Sequence, residues 1–407
     1  MKKIVFVLAA SFIVMSSFAE DNERGTDNTV VAEQETSDEN EFMSDEKLEE
    51  GFVTHYINEA ISKGMASLTT NGDEEKIEYG RTVTKWASAP KIGGYVIGSY
   101  KYNDQEGAHG GDGFGVRLCR VYVDGTILND FTYRLQVQFS GTPHLKDYFV
   151  EWHHWKEFKI KIGQFKRAFT FENPYNPWDV GIGDYSQLSK KLSGFGDYCD
   201  EPATPSGRDQ GIQIQGDLLP IGKDSHRLIH YQLMLANGQG INTTDANGKK
   251  DLLGTIQFQP IKNLFIGLFG WKGTYTSNGV TVGRNRWGAG VKYETTEWSA
   301  RAEYAHNTGH RISDYDASSG TWSGTARADA WYVAVGIPCT PWLKTYIKYD
   351  AYRDQGTWGS LKSIYSIVPN FQIHKNLMLQ IQYNYVNDKT AADRHYNELW
   401  CQTYFRF

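Results

Sequence analysis

From Lys91 to its C-terminus, the chain alternates apolar and polar residues with a period of two. The stretches FTYRLQVQF (131–139) and LMLQIQYNY (377–385) show the pattern most clearly. Successive side chains of a strand point to opposite faces, so each such segment has one apolar and one polar face. Sixteen segments of this kind begin near residues 91, 113, 130, 147, 158, 208, 227, 251, 263, 285, 297, 326, 342, 360, 376 and 396. The pattern predicts an all-β fold.

The connections between these segments alternate in length. The odd-numbered connections are the longer class and include NGQGINTTDANGKK and KGTYTSNGVTVG, whereas even-numbered ones such as QPIKN and ETTE are tight. Long and short connections alternate in barrels that span an outer membrane. A soluble β-sandwich also alternates apolar and polar residues. Sixteen continuous segments and an aromatic content of 14% favour a 16-stranded antiparallel transmembrane β-barrel instead.

The C-terminal segment LWCQTYFRF constrains how this sheet closes. In hydrocarbon every backbone polar group must pair within the protein, so a spanning sheet has no free edge. We therefore expect this segment to pair with the first strand. Its apolar row is predicted to face outer-membrane lipid and consists of Leu399, Cys401, Thr403, Phe405 and Phe407. The terminal Phe407 also resembles the signature that the barrel assembly machinery recognises.

The N-terminal region has a different composition. Lys2 and Lys3 precede the apolar run Ile4–Met15, and a small-residue site ends at Ala19. This pattern predicts a signal peptide over 1–19, which indicates export. Residues 20–89 are predicted to be an acidic, mostly flexible periplasmic segment in which 52–68 could form a short helix. The barrel then covers 90–407. The four cysteines lack C-x-x-C spacing and are predicted to be free.

One connection is much longer than the others and carries seven aromatic residues. It lies between the fifth and sixth segments and spans about forty residues, over 166–207. Loops of this length in a compact fold are usually functional or disordered. The sequence predicts a third extracellular loop that folds inward and constricts the lumen. A cap on the outer surface is the alternative.

Several cations share the inward phase of the strands or begin this loop. Rings of Arg and Lys favour anions, and the planar Arg fork suits phosphate. Residues 91–407 carry 34 bases and 30 acids, so net charge alone does not impose anion selectivity, and these cations could instead pair with lumen acids. The candidate residues of the anion path and constriction are Arg117, Arg134, Lys161, Lys166, Arg167, Lys344 and Lys348.

Four stretches resemble the phosphate-selective porin O and P family: FGVRLCRVYVDGTI, KIKIGQFKRAFTFEN, GRDQGIQIQG and LMLANGQGIN. The resemblance implies a sixteen-stranded, generally trimeric outer-membrane channel that passes phosphate or polyphosphate along a ladder of arginines. Arg117 and Arg120 match the arginine cluster of its second strand, whereas Leu118 stands where the family often has another arginine. Strict alternation would point Arg120 at lipid. Either a bulge resets the phase there, or Arg120 lies near the rim.

These observations predict a passive porin in the outer membrane of a Gram-negative bacterium. It would form a homotrimer and pass small hydrophilic solutes, with anions such as phosphate or polyphosphate first. The alternative is an outer-membrane barrel that acts through its external loops, in adhesion or lipid contact, with a plugged lumen. An enzyme is not predicted, because Ser363, Ser366 and His374 have nonspecific spacing and no G-x-S-x-G is present. No metal, cofactor or nucleic-acid partner is predicted.

Overall fold

A computed structural model describes residues 87–105, 107, 112–201 and 207–407 of the 407-residue chain. The predicted signal peptide over 1–19, the acidic segment from residue 20 and the helix proposed over 52–68 lie outside the described residues. The predicted boundary of the barrel at residue 90 adjoins the first strand, which begins at Lys91.

Sixteen antiparallel strands form one closed barrel, in which each strand pairs with its neighbours in sequence. Two further strands, β12 and β13, form a separate small hairpin within one connection. The predicted fold class is confirmed. The strands are β1 (Lys91–Asn103), β2 (Gly113–Ile127), β3 (Phe131–Gln138), β4 (His144–Trp152), β5 (Lys159–Lys166), β6 (Arg208–Ile221), β7 (His226–Ala236), β8 (Asp251–Ile261), β9 (Leu264–Ser277), β10 (Val280–Glu294), β11 (Ser299–Thr308), β12 (Tyr315–Asp316), β13 (Thr321–Trp322), β14 (Arg327–Thr340), β15 (Leu343–Arg353), β16 (Leu361–His374), β17 (Leu377–Asp388) and β18 (His395–Arg406).

The ninth connection differs from its prediction. The stretch KGTYTSNGVTVG was expected to be a long connection, but it is strand on both sides of Asn278 and Gly279. Both residues have positive φ, at 50° and 77°. An Asn-Gly pair with positive φ at both positions makes the tight two-residue turn that matches strand twist. β9 and β10 therefore continue as a ladder up to this turn, and β10 begins five residues earlier than predicted.

The C-terminal strand closes the barrel as predicted. β18 pairs antiparallel with β1 from Tyr95 opposite Arg406 to Asn103 opposite Glu398. At the end of the chain, Gly94 N–H donates to the Phe407 carbonyl at 3.0 Å, and Phe407 N–H donates to the Gly94 carbonyl at 3.0 Å. Even the last residue is held in the ladder, so the sheet has no free edge there.

Burial is inverted relative to a soluble protein. Along β18 the side chains of Gln402, Tyr404 and Arg406 are buried, whereas Phe405 and Phe407 are 50% and 46% exposed. The apolar face thus points outward and the polar face inward, as expected where lipid surrounds the sheet. No helix among the described residues is long and apolar enough to cross a membrane. The four cysteines are free, as predicted.

This orientation makes a depth-dependent prediction. Ile347 is exposed near the middle of β15, and Ile261 is exposed at the periplasmic end of β8. We expect Ile347→Arg to lower the free energy of unfolding in lipid vesicles by about 2–4 kcal/mol, and Ile261→Arg by about 0–1 kcal/mol. Denaturant titration of the refolded barrel measures both. Equal costs for the two variants would contradict the assignment of the outward face.

Candidate functional site

The connection between β5 and β6 lies inside the barrel. It carries one short helix, α1 (Gln187–Leu192). Near its middle, Asp184 accepts a hydrogen bond from Arg117 of β2 at 2.8 Å, and its backbone carbonyl accepts from Lys348 of β15 at 3.0 Å. The backbone N–H of Asp184 donates to Gln382 of β17 at 2.9 Å. One residue therefore touches three separate strands, which requires the loop to cross the lumen.

Further contacts with the barrel strands hold the loop between Phe171 and Gln187. Phe171 N–H donates to Glu303 of β11 at 2.7 Å, and Gln187 N–H donates to Asp350 of β15 at 2.9 Å. Asn370 of β16 donates to the Gly181 carbonyl at 2.8 Å. Because strand carboxylates and amides bind loop backbone groups, the buried loop leaves few polar groups without a partner.

Glycines permit the close approach of loop and wall. Gly183 has φ of 83°, and a Cβ placed on it would lie 2.1 Å from Oε1 of Gln382. Only glycine combines this left-handed backbone with so short a separation. Residue 183 thereby lets the neighbouring Asp184 reach the wall.

Asp184 is the centre of a charged contact near the middle of the loop. Its carboxylate is paired with Arg117 and with Lys190 of α1. Burial alone would raise the pKa of Asp184, but Lys190 and Arg117 outweigh burial and hold this pKa well below its usual range. The carboxylate therefore stays ionised at neutral pH and neutralises part of the cationic charge around it.

A larger group of buried charges holds the two ends of the loop, where it leaves β5 and approaches β6. We call this group the buried charge cluster. Arg284 of β10 pairs with Glu201 at 2.7 Å and with Asp251 of β8 at 3.1 Å. Trp271 lies between the guanidinium groups and donates its indole N–H to Asp251 at 2.8 Å. The other members pair across the same site. The cluster consists of Arg167, Asp197, Glu201, Asp209, Asp251, Arg284 and Arg286.

The barrel strands have more bases than acids. They carry 22 Lys and Arg but 12 Asp and Glu, so their excess is positive although the whole chain has a net charge of −6. Five adjacent strands, β2–β6, contribute eight bases against five acids, and we call these bases the basic wall. Its members are Arg117, Arg120, Arg134, Lys146, Lys159, Lys161, Lys166 and Arg208.

Most contacts of the basic wall are with neighbouring strands. Arg134 binds Asp124 through two hydrogen bonds of 2.8 and 3.0 Å. Arg208 binds Asp147 in the same two-pronged way, at 2.7 and 2.8 Å. Lys166 instead donates to the loop, to the Tyr175 carbonyl at 2.8 Å. Since bases outnumber acids here, pairing across strands does not cancel the positive charge.

Arg120 belongs to this wall because of a bulge. In the β1–β2 ladder, Ile97 pairs with Leu118 and Gly98 pairs with Val116, so Arg117 is the extra residue. A bulge of this kind shifts the following side chains to the opposite face. Arg120 is consequently buried and donates to the Tyr95 hydroxyl at 2.8 Å and to Gln138 at 3.0 Å. Of the two predicted alternatives, the bulge is confirmed.

The predicted path residues fall into three groups. Arg117, Arg134, Lys161 and Lys166 lie together on the basic wall. Lys344 and Lys348 lie on β15, where Lys348 contacts the loop. Arg167 is fully buried and bound to Glu201 and Asp209 at 3.0 and 2.9 Å.

The basic wall also holds cations that were not among the predicted path residues, including Lys146 and Arg208. Lys146 is fully buried on β4, and Arg208 is buried at the start of β6. Alternation alone does not show that the Lys146 side chain points inward, because the β3–β4 register shifts between Leu135 and Val137. Arg208 lies in the stretch GRDQG, and the resemblance of that stretch to the porin family could have identified Arg208 as a candidate.

A cavity of about 620 Å³ opens beside the loop, at its periplasmic side. Lys344, Trp178, Tyr346 and Gln372 are among its lining residues. The described residues hold no group of three or more His, Cys, Asp or Glu side chains that could bind a metal ion.

A closed sixteen-stranded barrel with an apolar exterior, a charged interior and a loop folded across the lumen defines the outer-membrane porin class. The predicted resemblance is confirmed for residues 91–197, which match the sequence model of the phosphate-selective porin O and P family. The family match and the barrel together indicate an outer-membrane channel. No curated protein matches the chain.

Solved structures share the fold at low sequence identity. An anion-selective porin from Comamonas acidovorans is 14% identical, with a TM-score of 0.60, over 79% of this chain and 100% of that one. The outer membrane channel DcaP of Acinetobacter baumannii is 13% identical, with a TM-score of 0.56, over 80% and 98%. OmpF of Salmonella typhi, in complex with daunomycin, is 11% identical, with a TM-score of 0.54, over 78% and 97%.

Proposed function

We propose that this protein is a passive porin that lets small anions, phosphate or polyphosphate first, diffuse across the outer membrane of a Gram-negative bacterium. The positive excess of the barrel strands carries the proposal, and it remains when the outward residues Lys272, Arg327, Asp329 and Arg353 are left out of the count. Cations that line a narrow, water-filled passage raise the local concentration of anions and replace part of their hydration. The guanidinium groups of Arg117 and Arg134, which stay partly exposed on the basic wall, suit the oxygens of phosphate.

Within this proposal the predicted residues have two roles. Arg117, Arg134, Lys161 and Lys166 contribute to the anion path on the basic wall, and Lys344 and Lys348 contribute from β15. Arg167 anchors the loop instead, because its guanidinium is fully buried between two carboxylates and has no access to a passing ion.

The assembly is also part of the proposal. We expect a homotrimer, because closed symmetric assemblies are common and the resembling family is generally trimeric. The outward apolar face would contact outer-membrane lipid, and the barrel assembly machinery would recognise Phe407. Chemical cross-linking of the barrel in detergent, followed by denaturing electrophoresis, tests the trimer.

Removing guanidinium groups from the basic wall should weaken anion selectivity. In Arg117→Gln/Arg134→Gln two positive charges are lost, while the partners Asp184 and Asp124 keep their negative charge. We expect the reversal potential across a salt gradient to shift by tens of millivolts toward cation preference. Planar-bilayer recordings of the purified protein measure it. The matched control Lys262→Gln removes an exposed cation in the β8–β9 turn and should leave the reversal potential unchanged.

Recordings in chloride and phosphate distinguish an anion-selective porin from a barrel with a plugged lumen. Single-channel recordings in chloride with added phosphate should show phosphate slowing chloride current in the wild type and less so in the double variant. A cation-preferring wild-type channel that phosphate does not affect would overturn the anion-selective form. Complete absence of conductance from pure, folded protein would favour the plugged barrel that acts through its external loops.

A further inference from the structure

The outward face of β9, β10, β11 and β14 becomes polar and positively charged toward its extracellular end. Lys272 of β9 pairs with Asn285 of β10, which pairs with Thr308 of β11, which pairs with Arg327 of β14. All four side chains are exposed and point away from the lumen. They form one straight row across four neighbouring strands, with a cation at each end and neutral hydrogen-bonding groups between them. We call this row the cationic rim.

Aromatic and charged groups lie directly below the cationic rim. The next row toward the membrane holds Trp287, His306, Asp329 and Arg353, which are register neighbours. Arg353 binds Asp329 at 2.6 Å and stacks over Trp358, with its guanidinium carbon 4.5 Å from the ring centroid. Exposed tryptophans such as Trp287 and Trp358 are typical of the boundary between hydrocarbon and headgroups. The cationic rim therefore lies at the level of the outer-leaflet headgroups.

The spacing of the rim defines the ligand that fits it. Neighbouring strands lie about 4.8 Å apart, so Lys272 and Arg327, three strand spacings apart, are separated by roughly 14 Å at their backbones. This separation suits two phosphates at opposite ends of a disaccharide. Asn285 and Thr308 lie between them, where sugar hydroxyls would be.

We propose that the cationic rim binds the headgroup of a bis-phosphorylated disaccharide glycolipid in the outer leaflet. Lys272 and Arg327 each bind one phosphate, and Asn285 and Thr308 hydrogen-bond to the sugars. The two cations favour an anionic headgroup because their charge is complementary to phosphate. Trp287, one row below, would contact the start of the acyl chains.

The opposite side of the barrel lacks this arrangement. At the extracellular ends of β2 and β3 the outward residues are Phe114, which is 87% exposed, Val116 and Phe139. An apolar surface at this height offers no partner for a phosphate. The arrangement of the cationic rim is therefore not repeated at β2 and β3.

The test uses the full-length barrel in nanodiscs. Nanodiscs of a zwitterionic phospholipid receive a small fraction of a bis-phosphorylated, a mono-phosphorylated or a simple anionic glycerophospholipid. Native mass spectrometry after gentle release then counts the lipid bound per barrel. We expect the bis-phosphorylated glycolipid to be retained preferentially, and Lys272→Gln/Arg327→Gln to weaken its retention about tenfold.

A matched variant controls for loss of charge alone. Lys249→Gln/Lys262→Gln removes two exposed cations outside the rim and should retain the glycolipid as the wild type does. Unchanged conductance verifies that both double variants are folded. Equal retention of all three lipids, equal retention by the rim variant and the wild type, or displacement of the glycolipid by millimolar free phosphate would each overturn the proposal.

Discussion

Replacing residues 175–200 with a short Gly-Ser linker is expected to raise single-channel conductance several-fold. This segment crosses the lumen and contacts opposite walls, at β2 through Asp184 and at β10 through the Leu192 carbonyl. Its aromatic side chains, including Trp178 and Tyr185, fill space that water and ions would otherwise occupy. Because conductance grows with the open cross-section of a pore, removal of the segment widens the narrowest part of the path.

The conductance measurement has a control within the same chain. Deleting the β12–β13 hairpin, residues 315–322, removes an exposed extracellular segment of the connection between β11 and β14. Its loss should leave conductance within the scatter of the wild type. If the loop variant conducts no better than the hairpin variant although both barrels are folded, the 167–207 connection is not the constriction.

The second large effect is expected at the buried charge cluster. Arg284→Met removes a guanidinium that now lies 2.7 Å from Glu201 and 3.1 Å from Asp251, in a site closed to solvent. Glu201 keeps its pair with Arg167, whereas Asp251 loses the guanidinium that pairs with it. Removal of one partner from a buried ion pair strands the opposite charge and typically costs about 3–5 kcal/mol. We expect a loss of this size in the free energy of unfolding, measured by denaturant titration in lipid vesicles.

Two further variants make this result specific. Arg227→Gln breaks an exposed pair with Glu157 at the periplasmic side and should cost at most about 1 kcal/mol. Adding Asp251→Asn to Arg284→Met removes the stranded carboxylate and should recover part of the loss, as expected for directly coupled residues. A cost for Arg284→Met no larger than that for Arg227→Gln would mean that the cluster does not anchor the loop.

Much of the barrel could be predicted because strand patterns are local. Inward and outward faces follow from a period of two, so most predicted strand starts lie within three residues of the observed ones. The start of the tenth strand was predicted five residues too late, because the residues around the Asn278-Gly279 turn are polar and resemble a loop. Arg120 departs from strict alternation, because the extra residue Arg117 in the β1–β2 ladder reverses the side-chain phase of the residues that follow it in β2.

The sequence by itself determined the class of fold, the closing strand and the sign of the charge on the barrel strands, because each depends on composition or on neighbours in the chain. Only the tertiary structure decided which cations line the lumen and which hold the loop. Arg167 and Lys166 are adjacent, yet Arg167 is buried in the charge cluster and Lys166 belongs to the basic wall. The contacts that separate such neighbours join residues as distant as Asp184 and Gln382, 198 positions apart. No local pattern encodes contacts over that distance, because they form only when the sheet closes around the loop.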